Sequence, residues 1–197
     1  MSFPDAWEEA ALVSIEKASG TPYQFAAITE TIDISEPDYP GESIPNVAGG
    51  RIWKQSPQED GEITIEIYPL ELDTTTSQGL FQQFYGGTWD TGSEPLITDT
   101  DYPAAGVMFA RDKFRVAILW TNDPAATAAE STTAASTDSL RFYAEDCRII
   151  SHKTAFTDGV VKTTITFKFK PVNKAGTDKL YAWESADNTA LAALAAY

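Results

Sequence analysis

Histidine and cysteine are almost missing from this chain of 197 residues, which has one of each, His152 and Cys147. A single cysteine cannot close an internal disulfide, so the fold owes nothing to oxidation. A single histidine excludes chemistry built on paired imidazoles or on a multi-histidine metal site. The two residues stand five positions apart in a strand-like run, which sends their side chains to opposite faces and defeats activation of the thiol by the imidazole. Cys147 reads instead as a small buried side chain, and His152 as a strand-end residue at a surface or interface. Positive charge is scarce too: 14 Lys and Arg stand against 29 Asp and Glu, a formal net charge of −15. Without a basic cluster beyond the spaced Lys162, Lys168 and Lys170, tight binding to nucleic-acid phosphates is excluded. Long apolar runs are also lacking. The longest is the Ala-rich tail from Ala190 to Tyr197, far below the ~20 residues that cross a bilayer. The start, Met-Ser-Phe-Pro-Asp, has no basic segment followed by an apolar one. The expectation is a protein made in the cytoplasm, with no membrane partner.

Carboxylates are plentiful but carry no pattern of a catalytic or metal site. Glu62 and Glu66 share a strand face, yet a solvated acidic face explains them better than a glycosidase pair. Asp99-Thr-Asp101 starts like a calcium loop, without the glycine and distal glutamate that should follow. Gly49-Gly50, Gly86-Gly87 and Gly92 lack the spacing of a phosphate cradle. No cofactor, no metal and no enzymatic activity are expected.

What the chain does have is a core. Hydrophobic residues make up 43% and aromatics 12%, spread along the whole length with no polar linker, which points to one folded domain over residues 1–197. The acidic excess is also a solubility solution in concentrated salt, so a salt-loving host is expected. Ile63, Ile65 and Ile67 alternate with Glu62, Thr64, Glu66 and Tyr68, the signature of a strand with one buried face. Val161, Ile165, Phe167 and Phe169 alternate with Lys162, Thr164, Thr166, Lys168 and Lys170 in the same way. Weaker strand signals cover residues 23–34, 46–54, 113–121 and 140–152, the last mixing apolar and polar side chains on both faces, as a strand contacted on both sides would. One helix is expected over residues 76–85, with Leu80, Phe81 and Phe84 on one face and Gly86-Gly87 as its stop. A second, over 188–196, would need a docking surface at that length. Residues 5–17 read as helix or strand. Long loops cover 35–44, 88–105 and 122–139, and the last, nearly all Ala, Thr and Ser, is expected to move freely in the isolated subunit. The fold class is mainly β with a minor α part: an antiparallel sandwich or barrel with one short packed helix.

The stretch Asn46-Val47-Ala48-Gly49-Gly50-Arg51-Ile52-Trp53-Lys54, with the following Pro57-Gln58-Glu59-Asp60-Gly61-Glu62-Ile63-Thr64-Ile65-Glu66-Ile67-Tyr68-Pro69, resembles the central hairpin of tail tube (major tail) proteins from siphovirus-like phages and archaeal viruses. The order of elements is similar as well, over most of residues 23–171: an extended strand, a Pro/Gly/acidic loop, the hairpin, an alternating strand, a short helix and three long strands. The resemblance implies a homo-oligomer that closes into a ring, usually of six copies, with strands of all copies continuing into one barrel around a channel. It implies stacking of rings through the loop 35–48, with Glu36, Asp38, Tyr39, Glu42, Ile44, Asn46, Gly49 and Gly50 at the contact. Glu62, Thr64 and Glu66 would line the channel and repel genomic DNA in transit without binding it specifically. The Lys162/Lys168/Lys170 face would then point outward or pair with acidic neighbours. Further partners implied are the tape measure, tail terminator and baseplate proteins, and the location is the virion tail. The competing reading is a carbohydrate or cell-surface binding β-sandwich module that uses the five tryptophans as platforms. Packing in a core or interface accounts for those tryptophans better.

Overall fold

The structure is a computed structural model, and it describes residues 11–17, 23–26, 31–67, 113–157 and 159–197. The expected helix over 76–85 and the loop 88–105 lie outside the described residues. Among the described residues ten strands account for the regular structure: β1 (Ala11–Lys17), β2 (Tyr23–Ala26), β3 (Ile32–Ser35), β4 (Gly41–Pro45), β5 (Arg51–Gln55), β6 (Gly61–Ile67), β7 (Phe114–Thr121), β8 (Ser139–Thr157), β9 (Val160–Phe169) and β10 (Tyr181–Ala186). Every pairing is antiparallel. Eight strands join in one sheet with the path β2-β1-β7-β8-β9-β6-β3 and β10 added on β8, while β4 and β5 form a ribbon of their own. Among the described residues there is no helix.

The organiser is β8, at 19 residues long enough to serve two partnerships. Its first half pairs with β7 and β10, its second with β9. Two irregularities separate the halves. Phe114 and Val116 of β7 face Cys147 and Ala144, which leaves an extra residue on β8 at a point where Asp146 takes a φ of 55°. Ile149 and Ser151 then face the adjacent Phe167 and Thr166, leaving Ile150 as the second extra residue. Such bulges bend and twist a strand, and aspartate tolerates the left-handed conformation better than most side chains. β8 and β9 meet at Thr157 and Val160 around a two-residue turn whose Gly159 has φ 79°.

The core lies on one face of this curled sheet: Val13 and Ile15, Phe114, Val116 and Ile118, Phe142, Ala144 and Cys147, Ile165, Phe167 and Phe169, Ile63 and Ile65. The alternation that reads as strands is this burial at 62–66 and 164–169. β7 is buried on both faces except at Trp120, because its second face lies under a second cluster of Leu12, Ala117, Leu119, Ala129, Ala186 and Leu191. Ala129 and Leu191 come from the two segments expected to be a free loop and a short helix. Ala129, Glu130, Thr133 and Thr137 of residues 122–139 are buried, and residues 190–197 run without helical structure. The tail pairs with the loop instead: Leu191 N–H donates to Thr133 Oγ1 at 2.9 Å, Thr133 N–H to Leu191 C=O at 3.2 Å, and Leu194 N–H to Glu130 C=O at 2.9 Å. Alanines bring helix propensity but few atoms, so backbone partners offered by a neighbouring loop outweigh a two-turn helix.

Candidate assembly surfaces

The face of β3, β6, β9 and the second half of β8 that points away from the core is set by register. Asp33 and Ser35 stand opposite Thr64 and Glu62. Glu62, Thr64 and Glu66 stand opposite Lys168, Thr166 and Thr164, and Arg148, Ser151, Lys153 and Ala155 stand opposite Lys168, Thr166, Thr164 and Lys162. The three expected lining residues therefore share one face, as their spacing predicts. The lysines of β9 share it too. Lys162 Nζ lies 3.1 Å from Glu66 Oε1, and Thr64 Oγ1 donates to Thr166 Oγ1 at 3.3 Å. Of the two places expected for these lysines, pairing with an acidic neighbour is observed at Lys162, while Lys168 stands opposite Glu62 and Lys170, past the end of β9, is exposed. This face is not a carboxylate surface but a graded one: acids on β3 and β6, bases on β9 and β8.

The segment expected as a stacking loop is a β-ribbon that continues the β3/β6 pair outward. Beyond Ser35 and Glu62, Glu59 N–H donates to Asp38 C=O at 2.9 Å and Ser56 N–H to Pro40 C=O at 2.8 Å, and β4 and β5 pair from Gly41/Gln55 to Pro45/Arg51. About ten extended residues a side give it a reach of about 30 Å. Asn46 closes its tip: Oδ1 accepts Ala48 N–H at 3.1 Å and Gly50 N–H at 2.8 Å, and Gly49 adopts φ 81°. Glycine fits there because L side chains strain at that φ. The ribbon exposes Tyr39, Ile44, Val47, Ile52 and Trp53, the last at 66%. Glu42 stands opposite Lys54 and Ile44 opposite Ile52. At the base, Trp183 Nε1 donates to Glu36 Oε1 at 2.8 Å, and Asp38 Oδ1 accepts Tyr39 N–H at 2.7 Å. Trp183 also stacks on Trp120 at 6.0 Å and 19°, so these two indoles lie against each other.

Sequence reasoning misses a third feature, the buried charges beneath the tail. Arg115 on β7 places Nη2 2.5 Å from Glu16 and 3.3 Å from Glu130, whose Oε1 accepts a hydrogen bond from Ser14. Its Nη1 donates to Ala195 C=O, and Tyr197 lays its aromatic face 5.5 Å from the guanidinium carbon. Arg115 Nε is buried without a partner. Arg141 on β8, 1% exposed, donates to Glu184 through Nε and Nη2 and to the carbonyls of Ala192 and Ser131. Burial and the nearby Glu130 push the Glu16 carboxyl above the usual range against the pull of Arg115. At the β8 bulge, burial alone would raise Asp146, but hydrogen bonds from Lys113 and Tyr197 outweigh it and hold this carboxyl low. The signal available in sequence was a single arginine inside each of two apolar strands, FRVAILWT and SLRFYAEDC. Cys147 is fully buried, which raises its thiol pKa. Among the described residues no three His, Cys, Asp or Glu side chains gather to hold a metal.

No protein-family model matches the sequence, and no curated protein matches it either. Solved structures do. The sheath/tube terminator of an extracellular contractile injection system (PVC), in the extended state, is similar at TM-score 0.51 and 10% identity over 93% of this chain and 99% of that one. The tube-terminating cap of the anti-feeding prophage is similar at TM-score 0.50 and 8% identity over 94% of each chain. At these identities the likeness is one of fold, and it extends over nearly the whole length of this chain.

Proposed function

We propose that this protein is a structural subunit of a phage-like tail, one that closes into rings with copies of itself and stacks the rings into, or at the end of, a tube. The observation that carries the reading is the four-stranded antiparallel sheet β3-β6-β9-β8. Among the described residues neither β3 nor residues 148–157 of β8 has a strand on its outer side. Open edges invite pairing with another chain, and closure into a barrel removes them. The strand count fits rotation: with four alternating strands, β3 runs opposite to β8, so copies turned about one axis place β3 of one antiparallel to β8 of the next. The exposed ribbon 36–60, with apolar side chains rimmed by charges, is the element for the contact between rings. The ribbon carries the expected set, Glu36, Asp38, Tyr39, Glu42, Ile44, Asn46, Gly49 and Gly50, and adds the exposed Val47, Ile52 and Trp53.

The finer reading, a six-copy ring in a virion tail through which DNA passes, follows the resemblance. In it the face bearing Glu62, Thr64 and Glu66 lines the channel. The bases on that face make the lining mixed, so it lets DNA slide by offering no net attraction rather than by strong repulsion. Tape measure, terminator and baseplate proteins would meet the tube at its ends and within it. Negative-stain microscopy of the purified protein, concentrated at high salt, tests the reading. Annular particles and stacks support it; monomers that bind glycans point to the module.

A further inference from the structure

The graded face carries more than a polar exterior. From one edge of the sheet to the other its charged side chains are Asp33 on β3, Glu62 and Glu66 on β6, Lys168 and Lys162 on β9, and Arg148 and Lys153 on β8. Each sign occupies its own pair of strands, in a chain whose overall charge is −15. Inside the subunit the boundary between signs is already used, since Glu66 meets Lys162 and Glu62 stands opposite Lys168. The two outer strands carry what is left: Asp33, exposed on β3, and Lys153, exposed on β8. We infer that this polarity selects the joint between copies: the acidic β3 edge of one subunit pairs with the basic β8 edge of a second copy, Asp33 facing the row of Arg148 and Lys153. This rests on the ring reading above and adds what specifies the contact.

The physics favours that joint over its rivals. Two β3 edges brought together would oppose acid to acid, and two β8 edges base to base, and like charges directly opposite destabilise a strand pair. Only the head-to-tail arrangement brings opposite signs together, and head-to-tail contacts are those that close into rings rather than stopping at two copies. Opposed charge acts chiefly by rejecting wrong encounters and fixing register, with backbone hydrogen bonds supplying adhesion. Each joint repeats the same pair, so a small preference is counted once per subunit.

The experiment uses the full-length chain at low ionic strength, where screening between exposed groups is weakest. Asp33→Lys and Lys153→Glu are made separately, and assembly is followed by light scattering and negative-stain microscopy. D33K leaves both edges basic, and K153E sets an acid beside Arg148 on the β8 edge, where Asp33 of the next copy would meet it. Each variant alone should need roughly fivefold more protein per joint to assemble. An equimolar mixture should assemble as readily as the wild type, because alternating copies restore opposite signs at each joint, and the double variant D33K/K153E should assemble by itself. Recovery in the mixture also establishes that both variants are folded. If the wild type forms rings and the single variants do so equally well, or if the mixture stays as poor as its components, the charge inference falls while the ring reading stands. If the wild type remains monomeric at every salt and concentration, the ring reading falls, and this inference with it.

Discussion

Replacing Arg141 by methionine should unseat the C-terminal tail and cost the subunit about 3 kcal/mol, a figure that follows from what the guanidinium holds. The side chain is 1% exposed and donates twice to Glu184, to Ala192 C=O at 2.5 Å and to Ser131 C=O at 3.3 Å. Removing one partner of a buried pair typically costs ~3–5 kcal/mol. Glu184 is 35% exposed and regains water when released, which lowers its share. Each orphaned carbonyl adds about 1 kcal/mol, and methionine retains much of the volume, so cavity formation contributes little. Urea denaturation reads the effect: with a slope of about 3 kcal/mol/M for a chain of this size, the midpoint should fall by roughly 1 M. Because Ala192 is one of the lost partners, deleting residues 190–197 should cost at least ~1 kcal/mol less in the Arg141→Met background than in the wild type. A midpoint shift below about 0.3 M, or strict additivity of the two changes, would show that the tail is held by something else.

Four other outcomes are expected. Glu16, whose pKa is raised on folding by burial and by Glu130, contributes stability that is complete below its unfolded value of 4.5 and lost as pH rises through the folded value; Glu16→Gln should flatten the slope of denaturation midpoint against pH above 4.5, and an unchanged slope would remove Glu16 from the account. Asp146, held low, acts with the opposite sign, losing its contribution as pH falls through its folded pKa below 3.8. Gly61→Ala should destabilise by ~1–3 kcal/mol in thermal melts, since a Cβ there would stand 2.3 Å from the buried Phe169 Cζ; a change under ~0.5 kcal/mol would mean that the two strands can separate at this point. The pair Ile52→Ser and Trp53→Ser, on the exposed ribbon, should leave the melting temperature within about 2 °C yet abolish stacks in micrographs while sparing single rings.

Much of the sheet was legible because its burial is one-sided. Ile63 and Ile65, or Ile165, Phe167 and Phe169, alternate with polar residues because one face meets the core and the other does not. β7 and the first half of β8 were harder, since burial on both faces erases alternation; only the mixed character of 140–152 hinted at it. The break between β2 and β3 and the placement of β4 inside a segment rich in Pro, Gly and acid were not readable. β4 buries little, and its pairing with β5 is carried by backbone bonds that any sequence can make. Residues 122–139 and 187–197 misled for a related reason. They have almost no bulk to signal packing, and they are ordered by the carbonyls and hydroxyls they offer to Arg115, Arg141 and each other. Glu62, Thr64 and Glu66 do share one face, but the acidity of that face was read from β6 alone. The register that sets Lys168 opposite Glu62 and Lys162 beside Glu66 is a long-range property, and only the fold supplies it.

The central claim is that copies of this chain join through the open edges of one sheet. Electron cryomicroscopy of the assembled protein at a resolution that separates strands tests it most directly. The expected map shows β3 of each subunit hydrogen-bonded, antiparallel, to residues 148–157 of its neighbour's β8 around a continuous barrel, with the ribbon 36–60 reaching the next ring. Rings joined through any other surface, or either of those two edges covered by the chain's own residues, would contradict it.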